Sequence, residues 1–228
     1  MTQLKHSSSS SETLVGIGHI VEAIEEDIVL GRLNPKERLV EEDLIERFNC
    51  KRHVVRQALF HLETIGLVER IKNRGAFVKA YTPDEVEQLY AMRELLEIAG
   101  AKSIPLPAPP EMLNALIAVQ EQHSDAVKHQ DLHRVFRLNI AFHRTLFSAT
   151  GNSYLSECIN EFAQKAHAIR FMAISDVASL KRACDEHFEM IDAIQKRDRK
   201  RLCQLCKDHL APSKERYLSL ARLRVRSD

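Results

Sequence analysis

The 228-residue chain carries a net charge of +1, with 44% hydrophobic and 29% charged residues, and contains no Trp and only 7 Gly. That balance supports a folded, helix-leaning core, and no apolar run is long enough to span a membrane. Its five cysteines, Cys50, Cys158, Cys184, Cys203 and Cys206, are odd in number and irregularly spaced, which argues against a disulfide framework and for a reduced, cytoplasmic protein.

Residues 1–11 are polar and Ser-rich without an apolar stretch, so they read as a disordered arm and not a signal peptide. From Leu14 to Leu30, Ile17, Ile20, Val21, Ile24 and Ile28 recur at helical spacing, and Gly31 is placed to end the helix. Asn34-Pro35 marks a turn. A short helix follows over Glu41–Phe48, then a tight turn at Asn49-Cys50, then a helix over Lys51–Ile65 whose core side is Val54, Val55, Ala58, Leu59 and Leu62, with Gly66 as its left-handed cap. Leu67–Ile71 and Ala76–Val78 read as two short strands around the polar loop Lys72-Asn73-Arg74-Gly75. Three helices followed by a β-hairpin is the plan of a winged helix-turn-helix, here over residues 12–80.

Charge is distributed unevenly over this region. Glu12–Glu46 holds 3 basic and 10 acidic residues, whereas Arg47–Lys79 holds 8 basic and 2 acidic. A local basic segment inside a near-neutral protein is the footprint of a polyanion-binding face. In a helix-turn-helix the second helix enters the major groove N-terminus first. That helix begins Lys51-Arg52-His53-Val54-Val55-Arg56-Gln57, with Arg52 and Arg56 four apart and so on one face. Arginine binds guanine O6 and N7 bidentately. Lys51, His53, Gln57 and the wing residues Lys72, Asn73, Arg74 and Gly75 suit phosphate or minor-groove contacts. The plainer alternative is an exposed basic helix face without a partner.

Residues 81–228 have helical period throughout. Thr82-Pro83-Asp84-Glu85 opens them with a capping box and Pro at the first helical position. Helices are predicted near 83–103, 110–129, 131–149, 152–174, 176–196 and 199–222, the last kinked at Pro212. The fold class is therefore mainly α, a winged helix-turn-helix followed by an all-α antiparallel helical bundle.

Among eleven histidines, His123, His129 and His133 stand in polar surroundings and read as solvent-facing. His143, four residues after Asn139, His187 and His209 have apolar neighbours at helical spacing and can all point into the bundle, where metal sites are built from facing helices. Imidazole suits Zn²⁺ or Ni²⁺; the alternative is three unrelated core or surface histidines. Cys203-x-x-Cys206 lies mid-helix without a second pair and reads as helix-packing thiols before a redox or metal site. Arg93 and Glu97 fit either a carboxylate clamp or a helix-surface ion pair. Arg170, among apolar residues, is a second clamp candidate.

The stretch Arg52-His53-Val54-Val55-Arg56-Gln57-Ala58-Leu59, then Leu62, Gly66-Leu67-Val68 and Gly75-Ala76-Phe77-Val78, resembles the signature of the GntR family of bacterial regulators, Arg-Thr-Pro-Val-Arg-Glu-Ala-Leu, Leu, Gly-Leu-Val and Gly-x-Phe-Val. His53-Val54 replaces Thr-Pro, Gln57 replaces Glu, and Asn49-Cys50 stands where Gly-Val is common. The bundle resembles the FadR-type, FCD subgroup, whose metal-binding members carry Asp-x-x-x-His, then Glu-His, then a histidine on the last helix. Those positions are Asn139, His143, His187 after Glu186, and His209, with Asn139 in place of Asp. The resemblance implies a homodimer that binds double-stranded operator DNA at an inverted repeat, a divalent transition metal, and a small carboxylated metabolite as effector, with repression as the commonest outcome. A metal-dependent enzyme and a dimeric scaffold that does not bind DNA are the competing readings.

Overall fold

The computed structural model describes residues 16–174 and 176–225. The Ser-rich arm read at 1–11 lies outside the described residues. Helices α1 (Ile17–Val29), α2 (Glu41–Phe48) and α3 (Arg52–Thr64) and strands β1 (Arg38–Leu39), β2 (Val68–Ile71) and β3 (Gly75–Val78) come first. The strands form one antiparallel sheet in the order β1-β3-β2, with Arg38 opposite Phe77 and Ile71 opposite Gly75. The sequence reading missed β1, because two residues are too few to show an alternation.

Local chemistry sets the joints. Asn49 ends α2 in the left-handed conformation, at φ 44°, which asparagine tolerates better than most residues. Gly66, at φ +79°, turns the chain from α3 into the hairpin, and its carbonyl accepts a hydrogen bond of 2.8 Å from the Tyr81 hydroxyl. The Thr82 hydroxyl accepts from the Glu85 N–H and the Glu85 carboxylate accepts from the Thr82 N–H, completing the expected capping box.

The bundle comprises α4 (Pro83–Ser103), α5 (Pro110–Lys128), α6 (Leu132–Ser148), α7 (Ser153–Lys165), α8 (His167–Ile174), α9 (Val177–Gln195), α10 (Arg199–Asp208) and α11 (Ala211–Val225). Two predicted helices are each divided. The 152–174 segment breaks at Ala166, and the 199–222 segment breaks at His209-Leu210. Apolar spacing continues across both breaks, so periodicity alone does not reveal them. Pro212 sits in the first turn of α11, where its missing N–H costs no helical hydrogen bond, and does not kink a longer helix.

Two main cores hold the molecule together. The first joins Ile20, Ile24, Val55 and Leu62 to Ile169 of α8 and Leu218 of α11. The second lies inside the bundle around Leu116, Phe142, Leu146, Ile191 and Leu202. The second core fixes α5, α6 and α9 about the facing histidines described below.

Candidate DNA-reading face and effector site

Val55, Ala58, Leu59 and Leu62 anchor α3 in the first core, which leaves Lys51, Arg52, His53, Arg56 and Gln57 exposed on its first two turns. The wing tip exposes Lys72, Asn73, Arg74 and Gly75, with Asn73 at φ 63° and Gly75 at φ 100° closing the hairpin. A groove between helix and wing is lined by Arg56, Lys72, Asn73 and Gly75, together with Arg38 and Arg70. Arg38 escaped the sequence reading because it stands in the acidic segment; its pairing with Phe77 brings it beside the wing. Without DNA, the reading arginines rest on the acidic first turn of α2. Arg52 lies 2.9 Å from Glu42 and 3.4 Å from Glu41, and Arg56 lies 3.0 Å from Glu41. Exposed pairs of this kind are weak, so phosphate or a base edge can displace them.

In the bundle, α6 supplies His143, α9 supplies His187, and the α10–α11 joint supplies His209. One nitrogen from each lies within 4.8 Å of the others. The ring centroids are 5.1, 5.1 and 4.9 Å apart. Imidazoles bound at about 2.0–2.1 Å to a tetrahedral ion place their rings about 5 Å apart. Two rings are oriented from behind: His187 Nδ1 lies 2.9 Å from Gln120 Oε1, and His209 Nδ1 lies 2.6 Å from Glu186 Oε2. When Nδ1 donates, Nε2 is left as the lone-pair nitrogen that a metal binds. His187 Nε2 and both ring nitrogens of His143 are buried without a partner. Burial, reinforced by the neighbouring His209, holds His143 and His187 well below the usual imidazole pKa, so both are neutral near pH 7. The orphaned nitrogens, the neutral donor set and the ring spacing all fit a divalent transition metal.

His123 corrects the sequence reading. It is 2% exposed, its ring lies 5.1 Å from that of His187 at a tilt, and its pKa is pushed down to about 4 by burial and by His209. Glu121, Gln122 and Ser124 disguise it in the sequence. The signal that finds it is the inward stripe Leu116, Gln120, His123 and Ala126, all buried on α5. His129 and His133 are exposed as expected.

Asn139, one turn before His143, lines a cavity with ≈ 90 Å³ of free space, together with His123, Arg170, Glu186 and His209. Val135, Phe136 and Leu180 give that cavity an apolar wall. Arg93 lies elsewhere, in a smaller cavity behind His143 that it shares with Arg170. Its pair with Glu97 exists but is buried, with side-chain exposures of 2% and 4%, which overturns the helix-surface alternative. Arg170 lines both cavities. Burial and the nearby Arg93 bring its pKa down to about 10, which leaves it charged at neutral pH. Cys206 is buried and Cys203 partly buried, both packed in the second core.

Residues 17–78 match the family model "Bacterial regulatory proteins, gntR family", and residues 88–212 match the FCD domain. The HTH-type transcriptional repressor RspR of Escherichia coli K12 is 25% identical over 179 residues, 78% of each chain. The gluconate operon transcriptional repressor of Bacillus subtilis 168 is 25% identical over 185 residues, 78% of this chain and 74% of its own. A GntR regulator from Rhodococcus sp. RHA1 superposes with a TM-score of 0.74 at 23% identity, covering 89% of this chain and 97% of that one, and so shares the fold. These relatives regulate transcription through a DNA-binding helix-turn-helix, which sets aside the enzyme and scaffold readings. The chain belongs to the gntR family of bacterial regulatory proteins, in the group that carries an FCD domain.

Proposed function

We propose that the protein is a ligand-responsive repressor whose bundle holds a divalent transition metal, Zn²⁺ or Ni²⁺, and a small carboxylated effector. The observation that carries this reading is the approach of His143, His187 and His209 to one another, with both ring nitrogens of His143 and Nε2 of His187 buried without a partner. His143, His187 and His209 would hold the ion, with the amide oxygen of Asn139 as the fourth donor. The bound metal supplies a Lewis-acidic centre with room for a carboxylate. Gln120 and Glu186 fix the ring orientations of His187 and His209. Asn139 brings no charge where the metal-binding pattern that the bundle resembles has Asp, so the donor set leaves the dication uncompensated and favours an anionic effector. Arg170 faces the same cavity and would clamp the effector's carboxylate, while Arg93 sets the position of Arg170 from behind.

At the other end, Arg52 and Arg56 would read the operator's major groove, with Lys51, His53 and Gln57 and the wing residues Lys72, Arg74 and Gly75 on phosphate or in the minor groove. A homodimer would place two such heads on an inverted repeat. Helix α4 supports self-association. Val86, Leu89, Arg93 and Glu97 are buried on its inner side, whereas Leu95 and Met92 are 66% and 41% exposed on its outer side. The names of two relatives favour repression over activation.

Metal analysis of protein purified without chelator or affinity-tag metal tests the core of the proposal. Wild type should carry about one equivalent and His143→Ala should lose it. Wild type free of metal after growth in metal-replete medium overturns the metal site. Selection of genomic fragments at about 150 mM salt, where non-specific binding is weak, should enrich an inverted repeat that an Arg52→Ala/Arg56→Ala variant no longer retains.

A further inference from the structure

His123, on the inward stripe of α5, is buried with nothing to bond to. It is 2% exposed, its Nδ1 is enclosed without a partner, and neither ring nitrogen makes a hydrogen bond among the described residues. The ring stands in the wall of the cavity that also holds Asn139, Arg170, Glu186 and His209. Because Nδ1 is the enclosed nitrogen, Nε2 is the one left open to that cavity. A neutral imidazole carries one N–H and one lone pair. A buried N–H without an acceptor is rarer in folded proteins than a buried acceptor without a donor, which places the proton on Nε2. His123 thus turns one N–H into the cavity. Its neighbours are engaged elsewhere. Gln120, one turn earlier, spends its oxygen on His187 Nδ1 and its amide N–H on the Cys184 carbonyl and sulfur. Glu186 accepts from His209, Ser179 donates to Asp176 at 2.7 Å, and the Ser213 hydroxyl lies 2.8 Å from that of Tyr90.

We propose that His123 is a specificity-determining residue of the effector site, its Nε2–H donating to a second, uncharged oxygen of the effector, a hydroxyl or an oxo group near the carboxylate. The inference rests on reading this cavity as the effector site and adds to it a contact that neither Arg170 nor a metal makes. An imidazole N–H satisfies an uncharged oxygen but brings no charge to offset a second carboxylate, and Val135, Phe136 and Leu180 make the wall around it apolar. The ≈ 90 Å³ of free space keeps the acid to a few carbons. A polar group left unpaired in a pocket penalises any ligand that does not pair it, so His123 selects against acids that lack the second oxygen. The cluster of possible metal ligands is His143, His187 and His209 without His123, which keeps this role separate from metal binding.

The test is titration calorimetry of the full chain, with and without zinc, using propionate and butyrate against their 2-hydroxy, 3-hydroxy and 2-oxo derivatives. At least one oxygenated acid should bind about tenfold more tightly than its parent. His123→Phe keeps a ring of similar bulk but has no N–H. It should bring that acid down to the affinity of its parent, while the parent acid and zinc bind as they do to wild type. His123→Leu takes its place if the Phe variant does not fold. A 2-hydroxy acid can chelate zinc unaided, so a preference that survives the loss of His123 overturns the proposal. Equal binding of oxygenated and parent acids by wild type also overturns it and leaves the effector cavity standing. Loss of zinc binding in His123→Phe makes His123 a metal ligand and overturns it as well. Wild type that binds none of the acids, with or without zinc, removes the effector reading and this proposal with it.

Discussion

Gly66 shows how much a single residue fixes and how much of that is legible. A glycine directly after a helical run reads as a left-handed cap, and φ is +79° as that reading requires. What the sequence does not show is that an added Cβ would stand 2.9 Å from the Tyr81 hydroxyl, which is itself held by the Gly66 carbonyl. Gly66→Ala should therefore combine backbone strain with a displaced hydrogen bond and cost about 1–2 kcal/mol or more. Urea unfolding checks this; a loss below about 0.5 kcal/mol would show that neither matters. The histidines divide in the same way. His143 and His187 announce themselves by apolar neighbours, but His123 is flanked by polar residues and its burial depends on where α9 packs. For Arg93 the spacing to Glu97 reveals the pair, yet whether the pair is wet or dry is decided by other helices, far away in sequence.

Between elements, the contact of α1 with the bundle adds a polar, partly buried set of side chains to the apolar core they share. Glu25, on α1, lies 2.8 Å from His167 Nδ1 at the start of α8 and 3.3 Å from Arg137 on α6. Arg137 also donates to the Glu22 carbonyl. Nothing in the apolar period marks His167 as the point where a predicted long helix is divided, because the break turns its ring towards a residue 142 positions earlier. Burial, opposed only in part by Glu25, keeps His167 below the usual imidazole pKa. Burial raises Glu25, but His167, Arg137 and Arg144 outweigh it and hold the carboxyl below its ordinary value. Both signs point the same way. As pH falls below about 6.5 the unfolded chain protonates this histidine more readily than the folded one, and below about 4.5 the same holds for the carboxylate, so acid removes stability from this contact. Hydrogen exchange of the α1 amides, corrected for intrinsic rates, should show less protection at pH 5.5 than at 7.5. His167→Gln should flatten the difference; equal protection at both pH values in wild type would count against the assignment.

At the scale of the whole molecule, the two-part plan is visible in the switch from hairpin to unbroken helical period. The cohesion between the parts is not, since Ile169 of α8, Leu210 of the α10–α11 joint and Leu218 of α11 join the same core as the reading helix. Tyr217 of α11 strengthens the join, accepting from the Tyr81 N–H at 3.1 Å and donating to its carbonyl at 2.9 Å. A continuous path therefore runs from the cavity through Arg170 and His167 on α8 to Glu25 on α1, and α1 packs on α3. If the path carries the signal, thermodynamic linkage dictates a reciprocal result. The factor by which bound Zn²⁺, or Zn²⁺ with an effector acid, changes operator affinity must equal the factor by which operator DNA changes the affinity for that same ligand. Couplings of this kind are commonly about 5–150-fold. Glu25→Gln keeps the shape of the side chain but weakens its hold on His167 and Arg137, so it should shrink both factors together while leaving zinc affinity without DNA close to wild type. Titration calorimetry for zinc and fluorescence anisotropy for a selected operator give the four affinities of the cycle. Factors that stay at their wild-type size in Glu25→Gln would place the coupling on another route, with the Tyr81–Tyr217 join as the next contact to cut.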